Sequence, residues 1–91
     1  MINVLGEIEM PEIARFYGII IKLFFGDHPP PHFHAVYGEY IGVFNIDTLE
    51  KIEGDLPKRA EQLVKDWAEM HKKDLRTMWD KQKFYKLPPL E

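Results

Sequence analysis

The sequence predicts an α+β domain: a three- or four-stranded antiparallel meander sheet with one long C-terminal helix, continuous or broken once, packed on one face. Three observations predict it. Residues 16–25 and 32–46 are strand-length runs rich in β-branched and aromatic residues. Gly38-Glu39 divides the second run as a two-residue hairpin turn would. Residues 58–87 contain no glycine or proline, and their apolar residues recur at steps of three and four.

Met1–Glu9 alternates loosely (Ile2, Val4, Ile8) and reads as an N-terminal extension. Met10-Pro11-Glu12-Ile13 reads as a second beginning, because proline restricts the residue before it and removes a donor. The expected division is an extension over 1–9, a single domain over 10–82 and an irregular C-terminal tail over 83–91, which holds Pro88-Pro89.

Residues 16–25 read as one strand, buried on both faces for much of its length because only Lys22 interrupts it. His28-Pro29-Pro30-Pro31 cannot pair in a ladder, since three successive residues lack N–H groups, and it reads as a stiff, extended connector. A type II′ turn at Gly38-Glu39 would pair Tyr37 with Tyr40, His34 with Val43, Phe33 with Phe44 and His32 with Asn45. One face then carries Phe33, Ala35, Tyr37, Tyr40, Gly42, Phe44 and Ile46, the better core. The other carries His32, His34, Val36, Ile41, Val43 and Asn45. A turn at Asp47-Thr48-Leu49-Glu50 leads to a short strand over 51–53. Pro57 suits a helix start, where its missing N–H costs nothing. An unbroken helix to Lys81 would span roughly 37 Å, so its end projects or it breaks near His71.

Composition excludes several classes. At 45% hydrophobic and 30% charged residues the chain is globular rather than disordered. It has no cysteine and no serine, so disulfides, thiolate metal sites and serine or cysteine nucleophiles are ruled out. The longest apolar run is half of a membrane span, and no secretory leader pattern opens the chain. A cytoplasmic protein that does not enter a membrane is expected. Charge is uneven: residues 1–57 carry three basic against nine acidic residues, and residues 58–86 nine basic against five acidic. The basic helical end could contact nucleic acid, although a solvated helix complementing its own acidic sheet is the plainer reading.

Three of the four histidines fall within 28–34. Imidazoles suit zinc, nickel, copper or iron, and His32 and His34 lie on one strand face about 6.5–7 Å apart. His28, His32 and His34 are the candidate metal ligands, with zinc or nickel the cofactor they would take. Asp27 or Glu39 would add a carboxylate. The same histidines could act as general acid or base, with Arg15 or Lys22 holding a phosphate. The plainer alternative is that these histidines bond backbone groups and neighbouring carboxylates. Trp67, Trp79 and His71 lie on the helical stripe and read as packing residues.

Met10-Pro11-Glu12-Ile13, Arg15-Phe16-Tyr17-Gly18, Asp27-His28, Pro30-Pro31-His32-Phe33-His34-Ala35, Tyr37-Gly38-Glu39, Gly54-Asp55-Leu56-Pro57, Trp67 and Trp79 resemble the small bacterial DUF4160 family. The resemblance runs over about 10–82 and is densest from Asp27 to Glu39. It implies no established activity; members are discussed beside small DUF2442 partners in arrangements suggestive of toxin–antitoxin pairs. The reading therefore favours a small interaction module, one partner of such a pair or of a regulatory pair, over an enzyme. Its partner would be another protein or a second copy of the chain, because Val36, Ile41 and Val43 need cover. The alternative is a small histidine- or metal-dependent nuclease using His28, His32 and His34.

Overall fold

The computed structural model of the chain describes residues 11–91. The expected extension over 1–9 lies outside the described residues. Five antiparallel strands, β1 (Glu12–Phe16), β2 (Ile19–Lys22), β3 (His32–Tyr37), β4 (Tyr40–Asn45) and β5 (Lys51–Gly54), form one sheet in chain order. Two helices follow, α1 (Lys58–Met70) and α2 (Lys72–Lys81). The α+β class and the meander are as expected. The sheet has five strands rather than three or four, and two helices replace the long one.

The additional strand comes from within residues 16–25. The chain reverses at Tyr17-Gly18, whose φ angles are 46° and 80°. Two positive φ values in succession make a tight turn whose twist matches the flanking strands. Glycine adopts this conformation freely, whereas an L-tyrosine there works against its own Cβ, so no familiar turn pair marks the reversal. Phe16 consequently pairs with Ile19 and Arg15 with Ile20. β2 is buried on one face only: Ile19 and Ile21 are enclosed, while Ile20 and Lys22 are partly open.

The second hairpin has the expected register, Tyr37 opposite Tyr40 through His32 opposite Asn45. Phe33 and Phe44 stack across it at 5.4 Å. With Ile13, Ala14, Phe16, Ile19, Ile21 and Ala35 they make the sheet's contribution to the core, and Ile46 joins them just after β4. Both edges are irregular. The register of β1 with β2 shifts between Glu12 and Ala14, and Ile13 and Ala14 are both buried. The Ile13 carbonyl oxygen accepts a hydrogen bond from the Leu87 N–H of the tail (2.9 Å), which covers that edge. The register of β4 with β5 shifts between Val43 and Phe44, and charged Lys51 and Glu53 flank Ile52 on the short outer strand, features that discourage further strand pairing.

Ala60, Val64, Trp67, Ala68, Leu75 and Met78 supply the helical half of the core. Trp67 lies between Phe16 (5.6 Å) and Phe33 (6.3 Å), and its indole N–H donates to the Pro88 carbonyl oxygen (2.8 Å). The helical region breaks at His71, whose ring packs 4.9 Å from Trp67 and whose N–H turns back to the Ala68 carbonyl (3.1 Å). An unbroken helix of that length would overrun a sheet about 24 Å wide. The break returns Leu75 and Met78 to full burial. Residues 82–91 form no regular element, yet Phe84, Leu87 and Leu90 pack against the core. Part of the basic helical charge complements the sheet side through Arg76 and Asp47 (2.6 Å), while Lys51 of β5 pairs with the helix acid Glu61 (3.1 Å).

Replacing Trp67 with Phe keeps a ring in the core but removes the hydrogen bond to the tail. The expected cost is about 1–3 kcal/mol in urea unfolding. Hydrogen exchange at Leu87 should accelerate in the same variant; unchanged exchange there would show that the tail is held by other contacts. Burial raises the pKa of the Glu61 carboxyl, but hydrogen bonds and charge from Lys51 and Lys65 outweigh it and set it below the ordinary 4.5. A depressed carboxyl pKa stabilises the fold above the unfolded value, and that contribution disappears as pH falls through the folded value. Glu61→Gln should therefore be less stable than the parent at pH 7, with the gap narrowing below pH 4.5 in pH-resolved thermal melts.

Candidate functional site

The loop between β2 and β3 is held at both ends. The Gly26 N–H donates to Gln82 Oε1 (2.8 Å), and Gln82 Nε2 donates to the Trp79 carbonyl oxygen (2.8 Å). Phe25 stacks on Phe84 of the tail at 4.3 Å. At the β3 end, the Ile46 N–H donates to the Pro31 carbonyl oxygen (3.0 Å). The proline segment bends at Pro29 and Pro30 rather than running straight. Through these contacts the C-terminus of α2 and the end of β4 place Asp27 beside the start of β3.

Asp27, His32 and His34 converge, each offering a ligand atom within 4.8 Å of the other two. His32 is buried and lies between two acceptors: Nδ1 donates to the Pro30 carbonyl oxygen (2.6 Å), and Nε2 lies 2.8 Å from Asp27 Oδ2. Since a carbonyl oxygen can only accept, Nδ1 carries a proton. Nε2 is left facing the carboxylate. Trp79 packs 5.1 Å from the ring and holds its orientation. His34, two residues along the same strand face, has its ring centre 5.4 Å from that of His32 and an edge contact with Phe24 at 4.6 Å. Its Nδ1 is buried and meets no hydrogen-bond partner among the described residues. Burial, followed by the charge of His32, lowers the His34 pKa and favours the neutral ring.

Other sequence candidates lie apart from this trio. His28 points into solvent, its side chain 89% exposed and its Nδ1 3.9 Å from Asp27 Oδ1, so Asp27 occupies the place that His28 was expected to take. The residue lies in the middle of the β2–β3 loop, and Pro29 and Pro30 after it are exposed as well. Glu39 sits in the β3–β4 turn, about 16 Å along the strand from His34. Arg15 stands two strands from β3 and is engaged by Glu12 through two hydrogen bonds of 2.8 and 3.0 Å. Lys22, directly opposite His34 in the ladder, is the nearer cation by register. Sequence reading missed the supporting residues Gln82, Trp79 and Pro30. Trp79 carried only a packing signal, and nothing in sequence linked Gln82 to a loop 56 residues earlier.

The sheet face opposite α1 bears a second feature. Ile20, Val36 and Ile41 form a cross-strand row. Ile41 is 51% exposed, and Ile52 on the outer strand is 47% exposed. The neighbouring row contains Lys22, His34, Val43 and Glu53. An apolar strip therefore adjoins the histidine cluster on a face that α2 reaches at its His32 end, through Trp79.

The family model for DUF4160, a domain of unknown function, matches residues 18–80. That match excludes β1, which the resemblance over 10–82 had included. No curated protein and no solved structure matches the chain significantly. Among the described residues, no helix is long and apolar enough to cross a membrane.

Asp27→Asn should destabilise the fold by about 1–3 kcal/mol, because it weakens a charge-assisted hydrogen bond to a buried ring. His28→Ala should leave the unfolding midpoint unchanged. Urea unfolding of both variants checks the pair, and equal losses would contradict the separation of His28 from the cluster.

Proposed function

This chain belongs to the DUF4160 family of domains of unknown function, and on that premise we propose that it is a cytoplasmic interaction module whose more open sheet face receives a partner protein. The observation that carries this reading is the row Ile20, Val36 and Ile41, which presents branched apolar side chains on the face away from α1. Contiguous apolar surface of this kind is costly in water and is a common mark of a binding face. The flanking row supplies Lys22 and Glu53, which would orient a partner more than they strengthen its binding. The partner is the other member of a toxin–antitoxin-like or regulatory pair.

A second reading, a small nuclease, draws support from His34, whose Nδ1 meets no partner among the described residues and whose ring offers a nitrogen near Asp27. It is weaker because Arg15 is already engaged by Glu12. The basic surface of α2 offers nucleic acid a different approach.

Co-purification from the native host tests these readings. The tagged chain should carry one stoichiometric protein. Ile41→Glu should lose that protein at least tenfold while retaining the parent circular dichroism, whereas Lys73→Glu and His34→Ala should keep it. Loss with Lys73→Glu but not Ile41→Glu would move the interface to the helices. RNA cleavage by the purified chain that disappears in His34→Ala would replace the module with the nuclease.

A further inference from the structure

We infer that Asp27, His32 and His34 form a binding site for one divalent transition-metal ion of the zinc or nickel class, with His28 outside it. The site adjoins the apolar row, and the inference does not depend on a partner binding there.

The first support is donor chemistry. Two imidazoles and one carboxylate make a borderline nitrogen–oxygen set that favours late first-row ions over magnesium or calcium. Three protein donors leave at least one coordination position for water or another ligand. The second support is spacing. Donors around a four-coordinate zinc stand about 3.3 Å apart when each bond is about 2.05 Å. Asp27 Oδ2 and His32 Nε2 are already 2.8 Å apart, and all three residues have donor atoms within 4.8 Å of one another. Modest rotations of Asp27, which lies on a loop, and of His34 would bring the set to bonding distance.

The third support is the arrangement of hydrogen bonds. His32 donates from Nδ1 to the Pro30 carbonyl oxygen, leaving Nε2 directed at the carboxylate. A ligating histidine is commonly oriented in this way, through its other ring nitrogen to a backbone carbonyl. The contact between Nε2 and Asp27 Oδ2 brings together two donors between which a cation would sit. His34 adds the complementary feature, a buried Nδ1 with no partner among the described residues. Leaving such an atom unsatisfied is unfavourable, and the same ring offers a donor nitrogen to the group formed with Asp27 and His32.

Protein expressed without a histidine tag, stripped with chelator and exchanged into metal-free buffer, should be titrated calorimetrically with zinc chloride and separately with nickel chloride. At least one of the two ions should bind with one saturable equivalent and raise the melting temperature, and magnesium should do neither. His34→Gln removes a ligand without breaking a hydrogen bond and should weaken binding at least tenfold. His28→Ala should leave binding unchanged. Cobalt substitution of the parent should give visible absorption that His34→Gln alters, a readout that loss of stability would not produce. No saturable equivalent for either ion, several weak equivalents insensitive to His34→Gln, or binding lost in His28→Ala would overturn the inference. Circular dichroism of His34→Gln separates a lost ligand from a lost fold: a folded variant that binds zinc and nickel as the parent does also overturns it.

Discussion

The position of Trp67 between Phe16 and Phe33 is the constraint on which the rest of the structure depends. A large indole burying its whole surface can be accommodated in few ways, because interiors pack at crystal-like density and leave little room for alternative arrangements. It fixes α1 against the first and third strands and draws the tail in through Pro88. With the buried side chains of α1 on one side, the opposite face is left open around Ile41, and α2 reaches it at His32 through Trp79. Closed and open faces are therefore consequences of one packing arrangement.

The same arrangement reaches the candidate site through the break at His71. Turning α2 away from the line of α1 preserves the burial of Leu75 and Met78 and delivers Trp79 and Gln82 to the β2–β3 loop. Gln82 caps α2 in a left-handed conformation, φ 54°, and its side chain ties that helix end to Gly26. Asp27 is thereby held where His32 can use it. The histidines contribute the chemistry, while helix packing sets the carboxylate beside them.

Much of the fold was legible in the sequence. The hairpin at Gly38-Glu39 was readable residue by residue, because a two-residue turn fixes register and strand alternation then assigns each side chain to a face. The helical stripe was equally legible from its period, and its excessive length pointed either to a projecting end or to a break near His71. The turn at Tyr17-Gly18 was not, because an apolar run continues through it and tyrosine is a poor indicator of positive φ. At the site, His32 and His34 followed from their spacing on a strand. The exclusion of His28 did not, since the direction of a side chain before three prolines depends on how the loop is held.

What the sequence by itself determined was local: the classes of its elements, the alternation that separates Phe33 from His34, and the absence of nucleophiles such as serine and cysteine. These properties rest on short-range sterics and periodicity, which act between residues close in the chain. Only the tertiary structure decided which acid joins the histidines, which sheet face remains uncovered and where the tail lies. Each depends on contacts between distant segments, such as Gly26 with Gln82 and Trp67 with Pro88. Their stability comes from close packing and shared burial, and no single stretch of residues encodes that.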